Sequence, residues 1–115
     1  MKYMLLIHQG DTPTPRDPDA WARLSEDEQN AVYGAYQAIN RTPGVSPGQQ
    51  LQEPETATTV RVQDGKTLTT DGPFVAIKEA LGGYLFLEDR YHSTIGRIPA
   101  ARMGGAVEVR PIVEW

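Results

Sequence analysis

Two short stretches constrain this chain more than any other feature. "KYMLLIH", residues 2–8, and "LGGYLFLE", residues 81–88, read as strands that are apolar on both faces. In the first, Tyr3, Leu5 and Ile7 alternate with Met4, Leu6 and His8. In the second, Tyr84 and Phe86 alternate with Leu85 and Leu87. A sheet built on such strands must cover both of its surfaces, and the rest of the chain holds helix enough for only one.

The main helix is expected from Glu26 to Asn40. Ser25 is a good N-cap, and Glu28 completes a capping box with it. Asp27 and Glu28 also favour the positive end of the helix dipole. Val32, Ala35, Tyr36 and Ile39 form the stripe to be buried. The second helical segment, "HSTIGRIPAAR", is short and interrupted by Gly96 and Pro99. Two helices of this size leave one sheet face bare, and a soluble monomer rarely exposes so large an apolar patch. The expectation is a homodimer packed through the sheet face.

The remaining segments fill in the order. "DTPTPRDPDA" reads as a proline-rich loop, and "RTPGVSPGQQ" as a flexible connector that ends the helix. "TATTVRV" is β-branched and alternating, Asp64-Gly65 is a two-residue hairpin signal, and "KTLTT" is the returning strand. Gly82 and Gly83 mark a bulge or a close backbone approach. "AVEVRPIVEW" is a last strand whose Pro111 points to a sheet edge or a strand end. Strand, helix, hairpin strands, strand, short helix, strand is an α+β order. It predicts a ferredoxin-like antiparallel sheet with two helices on one face, the second short.

Composition narrows the functions. A chain of 115 residues is one domain. A formal charge of −4 with scattered basic residues gives no footprint for nucleic acid. The absence of cysteine removes thiolate metal sites, disulfides and a cysteine nucleophile. His8 and His92 are far apart in sequence and make no metal-ligating pair, so neither a metal nor a cofactor is expected. "MKYMLLIHQG" is too short for a signal peptide or a membrane span, so the expected location is the cytoplasm.

Few motifs point to chemistry. Gly44-Val45-Ser46-Pro47-Gly48 has the form of a nucleophile elbow, but Pro47 lacks the N–H that the oxyanion hole needs. Gly65-Lys66-Thr67 ends like a phosphate-binding loop but lies in a hairpin. His8 has two readings: a histidine at the edge of the core bonded to backbone, or a general acid/base at a pocket mouth. Asp71-Gly72-Pro73-Phe74 also has two. As a turn, Asp71 bonds its own backbone, Gly72 is extended before proline, Pro73 ends the strand, and Phe74 anchors it in the core. As a site, Asp71 is a second acid/base and Phe74 a ligand wall. Lys78, Arg97 and Arg102 are candidates to hold an anionic ligand, with an ion pair to Glu79 or a helix cap as the plainer alternatives.

Taken in order, "KYMLLIH", "TATTVRVQDGKTLTTDGPF", "KEALGGY", "RIPAAR" and "GGAVEVRPI" resemble the YCII-related proteins, specifically the branch with the DGPF motif. The likeness spans nearly the whole chain. It implies a ferredoxin-like fold that dimerises as an α+β barrel, in a bacterial cytosolic protein often linked to an extracytoplasmic-function sigma factor. It implies no defined reaction. A histidine–aspartate pair has been suspected of enzymatic work in the YCII branch, but residues 26–40 here contain no histidine. Three functions follow as expectations. The first is a homodimeric module that binds or senses a small molecule. The second is a cofactor-free lyase, isomerase or hydrolase using His8 or Asp71, and the third is a structural or adaptor dimer.

Overall fold

The computed structural model describes residues 2–74, 81–88 and 92–114, with backbone alone at residues 92 and 93. Four strands form one antiparallel sheet: β1 (Tyr3–His8), β2 (Val45–Gln50), β5 (Leu81–Leu87) and β6 (Ala106–Pro111), in the order β2-β5-β1-β6. Two further strands, β3 (Thr58–Gln63) and β4 (Lys66–Asp71), pair among the described residues only with each other. The helices are α1 (Pro18–Ala22), α2 (Glu26–Asn40), α3 (His92–Gly96) and α4 (Pro99–Arg102), with a 3-10 turn at Pro54–Thr56.

α2 has the expected bounds and the expected start. The Ser25 hydroxyl accepts the Glu28 N–H at 3.1 Å, and the Glu28 carboxylate accepts the Ser25 N–H at 2.9 Å. These bonds satisfy two donors that a helix end otherwise leaves orphaned. They also hold the Glu28 carboxyl below its ordinary pKa. Ile39 at the foot of the stripe is fully buried, and Tyr36 packs partly into the same core.

The core lies between α2, α4 and one face of the sheet. Leu5 and Ile7 of β1, Leu85 and Leu87 of β5, and Ile98 and Ala100 beside α4 join Ile39 there. Leu5 lies opposite both Leu85 and Val109, so three strands contribute one row. Side chains alternate along a strand, so Met4, Leu6, Tyr84 and Phe86 face the other way. They are only partly buried, and Tyr84 and Phe86 meet edge to face at 5.7 Å. The second helical region is broken as expected, into α3 and α4, with Pro99 opening the latter.

Two segments depart from the sequence reading. The supposed connector contains β2, an edge strand: Val45, Ser46 and Pro47 lie opposite Leu87, Phe86 and Leu85. Proline is tolerated there because an edge strand has one unpaired side, and the same holds for Pro111 at the end of β6. The β3–β4 hairpin, expected to supply strands to the main sheet, is instead a separate arm with almost every residue exposed. Its turn follows the sequence, with Asp64 and Gly65 both at positive φ (52° and 75°). The Cα radius of gyration is 16.0 Å, against about 13 Å for a compact domain of this length. The molecule is flat, with extents of 51 × 42 × 17 Å.

Candidate functional site

The residues singled out in the sequence do not assemble. His8 ends β1 on the open face of the sheet, where its Nε2 lies 3.2 Å from Glu108 Oε1. Glu108 also accepts from the Arg110 guanidinium. Arg110 first, and then His8, hold its carboxyl below the usual carboxylate range. Asp71 ends β4 in the other sheet, opposite Thr58, with its side chain exposed. His8 and Asp71 line neither of the two cavities described below.

The Asp71-Gly72-Pro73-Phe74 turn is built differently from its sequence reading. Gly72 has φ of +104° rather than an extended conformation, so glycine is needed there. Its N–H donates to Ala57 and its carbonyl accepts from the Thr59 hydroxyl at 2.8 Å, which ties the turn to the base of β3. Phe74 does not anchor a core: it is 67% exposed, and the Arg61 guanidinium sits 4.5 Å from its ring centroid. Both ties are made by the Gly72 backbone, to the Ala57 carbonyl and the Thr59 hydroxyl, and neither involves the aromatic ring. Arg97 and Arg102 are both exposed at the ends of α3 and α4. Lys78 and Glu79 lie outside the described residues.

The structure instead gathers a different set of residues. A cavity of about 320 Å³ lies between α2, the loop after β1, and the β2 and β5 edge of the sheet. Ile7 and Leu85 form part of its apolar lining, and Val32, Tyr33 and Tyr36 come from α2. Pro13, Pro15, Pro47 and Pro99 add rigid apolar surface around it. Its polar groups are amides and hydroxyls: Gln9, Thr12, Thr14, Asn40, Gln49, Gln50 and the tyrosines. Among the described residues, no charged side chain lines it.

Local structure explains how these groups are held. The Thr12 N–H donates to the Gln9 carbonyl at 2.9 Å, closing a turn directly after β1. Gln9 lies against Gly82, where a Cβ would collide with its side chain, so the paired glycines of β5 make the close approach expected of them. The Gln9 side chain hydrogen-bonds the Tyr36 hydroxyl. Burial raises the Tyr36 pKa and this bond partly offsets the rise, so the phenol keeps its proton at neutral pH. Tyr33 is braced from outside by Trp21 of α1, edge to face at 5.5 Å. Gln29 secures that short helix by donating to the Trp21 carbonyl at 2.9 Å.

Two atoms behind the cavity wall stand out. Gln9 Oε1 and Thr12 Oγ1 are buried and have no hydrogen-bond partner among the described residues. Thr12 itself is only 9% exposed. Buried polar atoms are nearly always paired, so these two are exceptions to the rule.

A more open groove of about 550 Å³ adjoins the cavity and shares Gln9, Thr12, Thr14, Gln50 and Gly82 with it. Its charged residues are Arg16, Asp17, Glu53 and Glu55. Asp17 also caps α1, accepting the Ala20 N–H at 3.3 Å. Among the described residues no group of three or more His, Cys, Asp or Glu could hold a metal ion, and no helix is long and apolar enough to cross a membrane.

Sequence reasoning placed Tyr36 and Val32 in the core stripe and did not single out Gln9 or Thr12. A signal existed: "HQGDTPTP" puts polar side chains into a proline-stiffened loop immediately after a buried strand. No family model matches the chain, and no curated protein is significantly similar to it.

Proposed function

We propose that this protein is a homodimeric module that binds a small molecule in the cavity between α2 and the sheet. One observation carries the reading. The cavity is apolar-walled, at the lower end of the size range of ligand sites, and carries amide and hydroxyl groups from four segments on its lining. An apolar void would need no such groups, and a site that orients a ligand does. The enzyme and adaptor readings have no comparable observation behind them, since His8 and Asp71 lie in different sheets.

We read the fold as ferredoxin-like. β1 and β2 are separated by the antiparallel β5, and β6 closes the far edge, which is the split βαβ arrangement. The chain then belongs with the YCII-related proteins of the DGPF branch, on the strength of its ordered motifs. The dimer forms through the open sheet face, where Met4, Leu6, Tyr84 and Phe86 are otherwise partly exposed. The hairpin arm supports the same reading. A two-stranded ribbon is marginal alone in water, yet Val60 and Val62 on one of its faces are 61% and 72% exposed.

The binding reading is tested by protein-observed NMR against a broad library of neutral and charged metabolites. Saturable shifts at Gln9, Thr12 and Tyr36 are expected with at least one compound, and no such shift across the library refutes it. Sedimentation tests the dimer separately: a monomer at micromolar concentration removes that part.

A further inference from the structure

Resting on the dimer reading above, we propose that the β3–β4 hairpin is a clasp between two copies of this chain. Each arm lays the face that carries Val60 and Val62 on the partner copy and receives the partner's arm in return.

The arm has two unlike faces. In an antiparallel pair, residues directly opposite each other share a face. Thr58, Val60 and Val62 of β3 therefore lie beside Asp71, Thr69 and Thr67 of β4. All of these but Asp71 are β-branched, and Asp71 sits at the base of the arm. The other face carries Arg61, Gln63 and Lys66 together with Leu68. Its long polar side chains suit water, and the Arg61 guanidinium already sits over the Phe74 ring. Val60 and Val62 stay exposed. A two-stranded ribbon is stable only when it packs on something, and the valine face is the one fitted to do so.

Among the described residues, the arm's own chain does not supply that contact. β3 and β4 pair only with each other there, and nearly every residue in them is exposed. The molecule is 17 Å thick. A sheet with one layer of helices fills that thickness, since packed layers stand about 10 Å apart. The arm therefore lies within the slab, beside the sheet and not folded over its open face. It also projects: the four-stranded sheet spans only about 20 Å in each direction, against in-plane extents of 51 and 42 Å. An arm placed so overhangs whatever packs on the open face.

Area identifies the occupant. The open face of the sheet covers roughly 400 Å² in outline, about half of the roughly 800 Å² that each partner gives to a standard interface. One face of the arm adds roughly 200 Å². Under two-fold symmetry each copy gives one arm and receives one, so the arm counts twice and the contact reaches standard size. An unrelated partner would use the arm once and fall short.

The test compares wild type with Val62→Glu and Gln63→Glu, which place the same charge on neighbouring residues of opposite faces. Both positions are exposed, so both variants should fold, which circular dichroism checks. In sedimentation equilibrium, Val62→Glu should raise the dimer dissociation constant at least about 10-fold, the scale of one buried valine. Gln63→Glu should stay within about 2-fold of wild type, as surface substitutions do. In wild type mixed from differently labelled copies, isotope-filtered NOEs should link the Val60 and Val62 methyls to amides of the other copy. If Gln63→Glu changes the dimer as much as Val62→Glu does, or a confirmed dimer shows no such NOE, the clasp is overturned and the sheet-face dimer stands. A wild-type protein that is monomeric at micromolar concentration removes the dimer reading and the clasp with it. Ligand binding in the cavity is a separate measurement that neither result touches.

Discussion

Replacing Thr12 by valine removes one hydroxyl and keeps the shape of the side chain. Thr12 is 9% exposed, its Oγ1 has no partner among the described residues, and its backbone N–H is already held by Gln9. In the folded chain that oxygen has lost its water and gained nothing. An unsatisfied buried polar atom costs about 1–3 kcal/mol. Valine places a methyl group in the same space, at the edge of apolar walls formed by Pro13 and Pro15. The free protein should therefore become more stable by about 1 kcal/mol. For a domain of this size that is a rise in Tm of roughly 3–6 °C. Differential scanning calorimetry on the free proteins measures it, with urea denaturation as the check at 25 °C. The sign is what matters, because core substitutions usually destabilise. A fall in Tm would mean that the hydroxyl is bonded in the folded protein and would refute this reasoning.

Further outcomes follow from other contacts. Gly82→Ala should push the Gln9 side chain away from β5, lower stability by about 1–3 kcal/mol through overpacking, and abolish metabolite-induced shifts at Gln9. Chemical denaturation and the NMR titration read the two effects. Ser25→Ala removes the hydroxyl half of the capping box on α2, leaves the backbone N–H bond to the Glu28 carboxylate, and should cost about 1 kcal/mol in urea denaturation without altering ligand binding. The Glu108 carboxyl is held below its ordinary value of 4.5 by Arg110 and His8. A lowered folded-state pKa means that this stabilisation is complete above the unfolded value and is lost as pH falls through the folded one. Glu108→Gln should accordingly flatten the Tm–pH curve below pH 4.5, and an unchanged acid limb would show the pairing to be energetically idle.

Legibility in the sequence followed the range of the interactions. The α2 start could be read because Ser25 and Glu28 satisfy each other within one turn. The hairpin turn could be read because Asp64 and Gly65 tolerate positive φ, a property of those two residues alone. β1 and β5 could be read from their apolar runs, and Pro111 from its missing donor. β2 could not. "VSPGQQ" carries no alternation and has poor strand propensity, and it becomes a strand because β5 offers it unpaired backbone groups. Phe74 failed for the converse reason: an aromatic side chain predicts burial only if apolar surface comes to meet it, and what meets this ring is the Arg61 guanidinium.

The candidate site was less legible than the fold. Gln9, Thr12 and Tyr36 have no shared spacing and no motif. They meet because β1 ends beside Gly82 and α2 crosses the same corner of the sheet. His8 and Asp71 looked like partners only because their chemistry was compatible. Their strands enter different sheets, which no local pattern encodes.

The sequence by itself therefore determined the elements with local causes: one capped helix, one tight hairpin, two strands apolar on both faces, and an acidic chain without cysteine. Tertiary structure alone decided that the hairpin stands apart, that a proline–glycine segment becomes an edge strand, and that amides and hydroxyls from distant segments line one cavity. Capping bonds and turn dihedrals are set within a few residues. Strand pairing and the convergence of side chains depend on partners tens of residues away, and those exist only once the sheet has formed.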